Sequence, residues 1–240
     1  MEQTLKITSV LADPTRYYIY QYITKKHGEV SVQEIADAFH IHPNVARLHL
    51  TKLEDVNLLV SETQKTGKGG RPSRLYRLSD DVIQLYFPFR DYQLLSKVAI
   101  QAMIKLGEVG KQALYETGKH FGKELVENHL THEQPINQLS FSQKIDILKK
   151  AAETAGFHPT FDIDENENKI YFRIYNCPFK EIAFHQPETV CHMHSAFMRG
   201  MLETLFTEVE LIEEENMTNG CDACSYLVII TKSKAIFTQA

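Results

Sequence analysis

The chain has 240 residues, enough for one large domain or two small ones, and its hydrophobic content of 43% is ordinary for a globular protein. No apolar run is long enough to cross a bilayer, and the first residues lack the basic-then-apolar order of a signal peptide. We therefore expect a cytoplasmic protein. Because cytosolic thiols stay reduced, its four cysteines indicate metal or redox chemistry rather than disulfides.

The net charge of -5 hides an uneven distribution of charged residues. The whole chain has 26 Lys and Arg against 31 Asp and Glu, whereas residues 1–80 have eleven against nine and residues 44–77 have seven against three. A local basic patch in a mildly acidic chain favours a small nucleic-acid-binding domain joined to an acidic partner domain.

The first 80 residues carry the pattern of a helix-turn-helix. Asp13 and Pro14 are a capping residue and a first-turn proline, which predict the start of a helix. Ser31 followed by Glu34 predicts a capping box at the start of a second, short helix. After the three-residue connection 40–42, Pro43 begins a helix that we expect to reach residue 59. Its apolar face is predicted to consist of Ala46, Leu50, Leu53 and Asn57.

The second helix of such a motif lies in the major groove, with its N-terminal residues at the base edges. Asn44, Arg47 and Lys52 are therefore the candidate groove residues, since Asn and Arg can make bidentate contacts with adenine and guanine. His42 and His49 are weaker candidates, and His49 is as readily interpreted as a packing residue.

Two extended segments on either side of a loop rich in Gly, Lys and Arg predict a β-hairpin wing over residues 59–78. Its basic side chains are expected to contact phosphates or the minor groove, which sets affinity more than sequence preference. They are Lys65, Lys68, Arg71 and Arg74. A helical protein with a fortuitously basic surface is the alternative, but it does not explain why helices, turn and wing occur in this order.

The stretches "LADPTR", "VARLHLTKLE" and "GRPSRLYRLS" together resemble the winged-helix regulators of the ArsR type, over roughly residues 5–80. The wing sequence most resembles the branch of SufR-like repressors of iron–sulfur cluster assembly. This resemblance implies a repressor that binds double-stranded operator DNA. Many ArsR-type metal sensors carry cysteines in the winged helix; this chain has none before Cys177, so that mode of sensing does not transfer.

Residues 92–106 and 108–129 predict two helices. They are expected to supply a dimer interface, because palindromic DNA sites require two copies, or to be core helices of a second domain, or both. Gly118 and Gly122, four residues apart, predict close helix packing. After a turn-rich break, residues 141–156 predict an amphipathic helix that ends at Gly156.

The last third predicts an antiparallel sheet with helices. Strands are expected at 157–164, 169–177, 207–215 and 224–232, with a helix at 188–206. The predicted fold class is therefore α+β, with an N-terminal winged helix-turn-helix at 1–82, a helical linker or dimerisation region at 83–132, and a C-terminal cysteine-rich sensor domain at 133–240.

All four cysteines lie at the ends of predicted elements. Cys177 ends a strand, and Cys191 is expected in the first turn of a helix, where backbone N–H groups favour a thiolate. Cys221 and Cys224 form a CxxC on a turn before the last strand. Four thiolates suit tetrahedral zinc or an iron–sulfur cluster. The alternatives are ordinary buried cysteines or a thioredoxin-type CxxC, although the latter normally opens a helix rather than precedes a strand.

"NCPF", Cys191 and "CDACSYLV" resemble the sensor domain of SufR-like regulators over roughly residues 157–230 and, more distantly, the small-molecule-binding 4-vinyl reductase domain. The resemblance implies that Cys177, Cys191 and one cysteine of the final pair hold an iron–sulfur cluster, with 4Fe–4S the expected type and zinc the alternative. Cyanobacterial members carry a further cysteine between the second and the last, which this chain lacks, so the fourth ligand stays open. His192 and His194 are further possible ligands, but exposed histidines are common on helices, so a bystander role is favoured for each.

The sequence thus predicts a cytoplasmic, homodimeric transcription regulator without membrane contacts. The main alternative is a winged-helix regulator with a structural zinc site and a different effector in the C-terminal domain. A redox or hydrolytic enzyme is the third interpretation. We expect no enzyme, because the sequence lacks a phosphate-binding glycine loop, a nucleophile elbow and an HExxH motif.

Overall fold

The computed structural model describes residues 2–64, 73–86, 88–130, 135–166 and 168–231. The chain forms two compact units, Met1–Arg90 and Asp91–Ala240, each with its own hydrophobic core. The predicted α+β class, with an N-terminal helix-turn-helix and a C-terminal antiparallel sheet with helices, is confirmed. Among the described helices, none is both long and apolar enough to span a membrane.

The first unit is a winged helix-turn-helix. In chain order its elements are α1 (Glu2–Leu11), α2 (Pro14–Lys26), β1 (Val30–Ser31), α3 (Val32–Phe39), α4 (Pro43–Glu54), β2 (Leu59–Gln64) and β3 (Ser73–Leu78). The strands form an antiparallel sheet in the order β1-β3-β2, in which β2 and β3 are the predicted wing. Helix α1, which the sequence patterns did not predict, buries Ile7 and Val10 in the core of this unit.

The helix starts follow the predicted caps, with one correction. Asp13 accepts a hydrogen bond from the Arg16 N–H at 3.0 Å, and Ser31 Oγ accepts one from the Glu34 N–H at 3.1 Å. The reciprocal half of the predicted capping box does not form, because the Glu34 carboxylate instead accepts hydrogen bonds from Lys26 and the Tyr22 hydroxyl.

Helix α4 ends at Glu54, earlier than predicted, and the assignment of Asn57 to its apolar face was wrong. Asn57 is exposed and has a left-handed backbone (φ 60°), a conformation that Asn tolerates better than most residues. The Leu58 N–H donates to the Leu53 carbonyl at 3.0 Å, which closes the helix in a Schellman arrangement.

In the described residues, the second unit combines five α-helices and a four-stranded sheet. Its elements are α5 (Tyr92–Lys105), α6 (Glu108–Glu127), α7 (Phe141–Thr154), β4 (Thr160–Asp164), β5 (Lys169–Ile174), α8 (Lys180–Ala183), α9 (Pro187–Leu205), β6 (Val209–Glu215) and β7 (Cys224–Ile230). The strand order is β4-β5-β7-β6 and every pair is antiparallel. The predicted strands and long helices are confirmed, whereas the single-turn α8 was not predicted.

Helices α6 and α9 pack with their backbones almost in contact. A Cβ atom added at Gly122 would lie 1.9 Å from the Phe197 carbonyl oxygen, and one added at Gly200 would lie 2.1 Å from the Lys119 carbonyl oxygen. At Gly118 the nearest atom would be the Met193 carbonyl oxygen, at 2.6 Å. The close packing predicted from Gly118 and Gly122 is confirmed, and α9 supplies a third glycine to it.

Helix α5 presents apolar side chains to solvent. In the described part of the chain this helix contains no buried residue, although most of its 14 residues are apolar. The side chains that are more than half exposed are Tyr92, Leu94, Leu95, Val98, Leu106 and Val109. A helix of this length is marginal in water by itself, so this surface requires an explanation.

Candidate nucleic-acid interface and cysteine pocket

The orientation of α4 is set by its buried side. Ala46, Leu50 and Leu53 are completely inaccessible to solvent, which turns the opposite side of the helix outward. The three predicted groove residues, Asn44, Arg47 and Lys52, are all exposed.

The exposed polar groups of α4 are only loosely engaged within the chain. Arg47 Nη1 lies 3.4 Å from Asn44 Oδ1, a long hydrogen bond, and Lys52 Nζ lies 3.7 Å from Asp55. His42 caps the helix instead, because its Nδ1 accepts a hydrogen bond from the Asn44 N–H at 3.2 Å. Asn44 and Arg47 therefore present amide and guanidinium donors that could form hydrogen bonds with a base edge in place of this weak contact.

His49 is a packing residue. Its side chain is only 8% exposed, and its Nδ1 has no hydrogen-bond partner among the described residues. Burial lowers the pKa of His49, so the neutral imidazole is favoured at neutral pH. The packing interpretation of this histidine is favoured over a base contact.

Two apolar residues on the outer side of α4 were missed from the sequence. Leu48 is 55% exposed and Val45 is 41% exposed. An apolar side chain on a groove-facing helix can contact the thymine methyl group. The signal was available, because both residues lie off the Ala46–Leu50–Leu53 stripe and next to predicted groove residues.

Arg74 anchors the wing to α4. Its Nη2 donates to both carboxylate oxygens of Glu54 at 2.8 Å, and its Nε donates to Ser61 Oγ at 2.7 Å. The guanidinium also lies 5.4 Å from the centre of the Tyr76 ring. About half of the side chain remains exposed, so its predicted phosphate contact would compete with Glu54. The other predicted wing contacts, Lys65, Lys68 and Arg71, lie outside the described residues.

In the second unit, three of the four cysteines line one pocket. Cys177 follows β5, Cys191 lies on α9, and Cys224 starts β7, where it pairs with Ile174 in the sheet. The pocket wall also contains His194, and Cys221 is not part of it. Among the described residues, no three His, Cys, Asp or Glu side chains already lie close enough together to hold a metal ion.

His194 is buried in this pocket, so its interpretation as a bystander was wrong about its surroundings. It is 4% exposed, and its Nδ1 lies 3.6 Å from Cys177 Sγ, whereas its Nε2 has no hydrogen-bond partner in the described part of the chain. Its ring packs between Phe157 and Phe179. His192, by contrast, is exposed and its ring lies 4.8 Å from that of Tyr115. The three-residue spacing from Cys191 to His194, one helical turn, was the available signal.

Burial favours the protonated form of the three pocket thiols. It raises the pKa of Cys177 to about 12 and also raises the pKa values of Cys191 and Cys224. The expectation that a helix start favours a Cys191 thiolate was wrong, because Cys191 lies in the second turn of α9. The Val190 N–H already donates to the Gln186 carbonyl, so the regular hydrogen bonds of the helix begin before Cys191.

The donor chemistry of the pocket nevertheless fits a soft or borderline metal. Thiolates and imidazole are the ligands of zinc and of iron–sulfur clusters, and a bound cation would supply the positive charge that stabilises thiolates in a buried site. Burial lowers the pKa of His194 to about 4, which favours the neutral imidazole, the form that binds metals.

A second pocket in this unit is entirely apolar. It encloses about 300 Å³, its open mouth included, between α7, α9 and the sheet. The wall residues are Leu148, Ala152, Phe157, Pro159, Phe161, Phe172, Ile174, Met198, Met201 and Leu202.

Comparison with known proteins identifies the first unit. The family model described as a helix-turn-helix domain matches residues 11–62. No curated protein matches the chain. One similar solved structure is trafficking protein particle complex subunit 3 from Naegleria fowleri, covalently bound to palmitic acid; its TM-score is 0.43 at 16% identity, over 58% of this chain and 94% of that one.

A second similar structure is the phenol-responsive sensory domain of the transcription activator PoxR with phenol, with a TM-score of 0.43 at 18% identity, over 77% of this chain and 89% of that one. Similarity this low assigns neither a ligand nor a mechanism to this chain. The family match and the exposed polar side of α4 agree on the first unit: residues 11–62 are a helix-turn-helix domain of the kind with which transcription regulators bind DNA.

Proposed function

We propose that the protein is a cytoplasmic transcription regulator, a SufR-like repressor whose second unit senses an iron–sulfur cluster or a zinc ion. The observation that carries this proposal is the convergence of Cys177, Cys191 and Cys224, from three separate elements, on one buried pocket. The same pocket contains the buried His194 imidazole, whose Nε2 has no hydrogen-bond partner among the described residues. A bound cluster would supply a redox-sensitive state, and zinc would supply a structural one.

Regulation would pass through α9 and α6. Cys191 and His194 lie on α9, so filling the pocket would fix this helix relative to β5 and β7. Because Gly122 and Gly200 bring α9 and α6 into backbone contact, α6 must follow α9. Helix α6 contacts α5, where a Cβ on Gly110 would lie 1.9 Å from the Met103 carbonyl oxygen.

We propose that the exposed side of α5 binds a second copy of the chain. A helix-turn-helix reads DNA most often as a dimer on a palindrome, and a two-fold axis brings the same apolar surface of both copies together. Leu94, Leu95 and Val98 lie close together in the sequence of α5 and are each more than half exposed, which supports this interface. A change in how the two α5 helices meet would change the spacing of the two α4 helices and hence operator affinity.

The pocket does not favour catalysis. A cysteine nucleophile needs a lowered thiol pKa and access to substrate, whereas burial raises the pKa of Cys177, Cys191 and Cys224. We therefore propose a binding function for this unit and no enzymatic activity.

The test uses Cys177→Ser and, as the matched control, Cys221→Ser, both purified without oxygen. Iron, sulfide and zinc are assayed on each sample, and operator affinity is measured before and after exposure to air. We expect Cys177→Ser to lose the metal and to change operator affinity by about tenfold, within the usual range of allosteric coupling. Cys221→Ser should keep both properties. Equal operator binding by metal-loaded wild type, metal-free wild type and Cys177→Ser would contradict the sensing role.

The apolar pocket favours one alternative, in which zinc is structural and a small apolar effector binds between α7, α9 and the sheet. Removal of zinc would then unfold the second unit rather than change DNA affinity reversibly. Hydrogen exchange of β5 and β7 amides before and after chelation distinguishes the two outcomes.

A further inference from the structure

The three cysteines of the pocket leave a tetrahedral centre one ligand short. Cys221 is the obvious fourth candidate in the sequence, but it does not line the pocket. His194 does, and it lies one helical turn after Cys191 on α9, so both side chains project from the same side of the helix.

The distance between Cys177 and His194 fits two ligands of one metal ion. Metal–sulfur and metal–nitrogen bonds of about 2.3 Å and about 2.05 Å, at a tetrahedral angle, place sulfur and nitrogen about 3.6 Å apart. Cys177 Sγ and His194 Nδ1 are 3.6 Å apart. A hydrogen bond between the two atoms already sets this distance, and no three ligands among the described residues lie close enough to hold a metal ion, so a bound metal would have to draw the remaining ligands closer.

The surroundings of His194 satisfy only one of its two ring nitrogens, Nδ1, through the hydrogen bond with Cys177. The side chain is almost fully buried, yet its Nε2 has no hydrogen-bond partner among the described residues. Native proteins rarely bury an imidazole with so few partners. The rings of Phe157 and Phe179, with centroids 4.9 Å and 5.2 Å from the His194 ring centroid, hold it in place without using its nitrogens.

We propose that His194 is the fourth ligand of the centre and binds through Nδ1, which makes the donor set Cys177, Cys191, Cys224 and His194. This inference rests on the proposed function, since it requires that the pocket holds a metal. It assigns Cys221 no ligand role. The resulting donor set of three thiolates and one imidazole is one that structural zinc sites use.

The first experiment uses zinc alone as the probe. The full-length protein is labelled with ¹⁵N-histidine, and the two-bond ¹H–¹⁵N couplings of its imidazoles are recorded without zinc and with one equivalent of zinc. We expect the Nδ1 signal of His194 to move to the shift of a metal-bound nitrogen, while His192 on the same helix stays unchanged. The His192→Gln spectrum removes one signal and fixes that assignment.

The possible outcomes separate the inference from the function on which it rests. Stoichiometric zinc binding with unmoved His194 signals would overturn the inference and leave the proposed metal site standing. Absence of zinc binding, together with absence of iron and sulfide from the protein purified without oxygen, would overturn both. A shift at Nε2 instead of Nδ1 would show that the other nitrogen of His194 binds the metal. The 3.6 Å distance between Cys177 Sγ and His194 Nδ1 would then not be a distance between two ligand atoms.

A second experiment counts the sulfur ligands with cobalt as a spectroscopic replacement for zinc. Charge-transfer absorption rises with each thiolate bound to cobalt, so wild type and Cys221→Ser should give equal intensities. We expect His194→Gln to bind zinc at least tenfold more weakly in competition with a chromophoric chelator. His194→Cys should restore binding and add a fourth thiolate to the spectrum. Weakening by Cys221→Ser but not by His194→Gln would assign the fourth position to Cys221.

Discussion

Helices α4 and α9 begin alike but differ in the exposure of their side chains. Each starts with a proline, Pro43 or Pro187, and carries its chemically important side chains in the following turns. On α4 Asn44 and Arg47 point to solvent, whereas α9 is buried at nine positions and turns His194 inward. The exposed arrangement suits a large, charged partner such as DNA, and the buried one suits the small ion proposed for the cysteine pocket. Exposure, more than residue type, separates the two proposed functions.

The largest expected effect concerns the packing that holds α9 in place. Helix propensity alone predicts that Gly122→Ala stabilises α6 by about 1 kcal/mol. The new Cβ would lie 1.9 Å from the Phe197 carbonyl oxygen, so the two backbones must separate, and the cost of overpacking prevails. We expect a net loss of about 2 kcal/mol in the free energy of unfolding, measured by urea denaturation.

Gly28→Ala is the matched control for that measurement, because the nearest atom to its added Cβ is 3.9 Å away. This substitution should leave the free energy of unfolding unchanged or slightly increased. If Gly122→Ala were equally harmless, the backbone contact between α6 and α9 would not exist in solution.

The outward-facing helix can be tested by comparing two arginines. Arg47→Ala should weaken binding to an operator selected from a random library by about tenfold to a hundredfold and relax preference at one base pair. Arg74→Ala should cost less than about tenfold, because its guanidinium is already paired with Glu54 and Ser61. Fluorescence anisotropy at one fixed salt concentration measures both.

A greater loss for Arg74→Ala than for Arg47→Ala would move the main DNA contact from α4 to the wing. The Glu54→Gln variant then shows whether Arg74 acts directly, because it frees the guanidinium for phosphate without removing its charge.

The smallest effect concerns His49, which lies between the inner and outer sides of α4. Because burial lowers its pKa in the folded state, the unfolded chain binds the proton more readily, and stability decreases as the pH falls below about 6.5. Asp13 opposes this shift and Arg16 supports it. Hydrogen exchange at the Leu50 and Leu53 amides should show lower opening free energies at acidic than at neutral pH.

His49→Gln, which cannot take up the proton, should reduce this pH dependence. An unchanged dependence in the variant would assign it to other groups of the first unit.

The sequence predicted the helices and strands better than it predicted which residues lie next to one another in the fold. Regular apolar spacing located α4, α6 and α9 to within a few residues, and the caps at Asp13 and Ser31 formed as expected. Helix α1 was missed because only two of its described residues, Ile7 and Val10, are buried in the core. Such a short apolar signal does not stand out from a polar terminus.

The candidate site shows where local patterns stop being informative. That Cys191 and His194 share one side of α9 follows from helical spacing, but whether that side is buried depends on the sheet, which is built from distant segments. The CxxC likewise suggests two equivalent ligands. The pairing of Cys224 with Ile174 brings Cys224 into the pocket, while Cys221, on the preceding turn, stays outside.

The contact between α6 and α9 also has a mechanical consequence. Side chains between two helices act as a compliant layer, since rotamer changes absorb small displacements. At Gly118, Gly122 and Gly200 that layer is missing, and carbonyl groups meet the opposite backbone directly. The two helices therefore move as one rigid body. A displacement of one helix by a few tenths of an ångström is transmitted in full to the other.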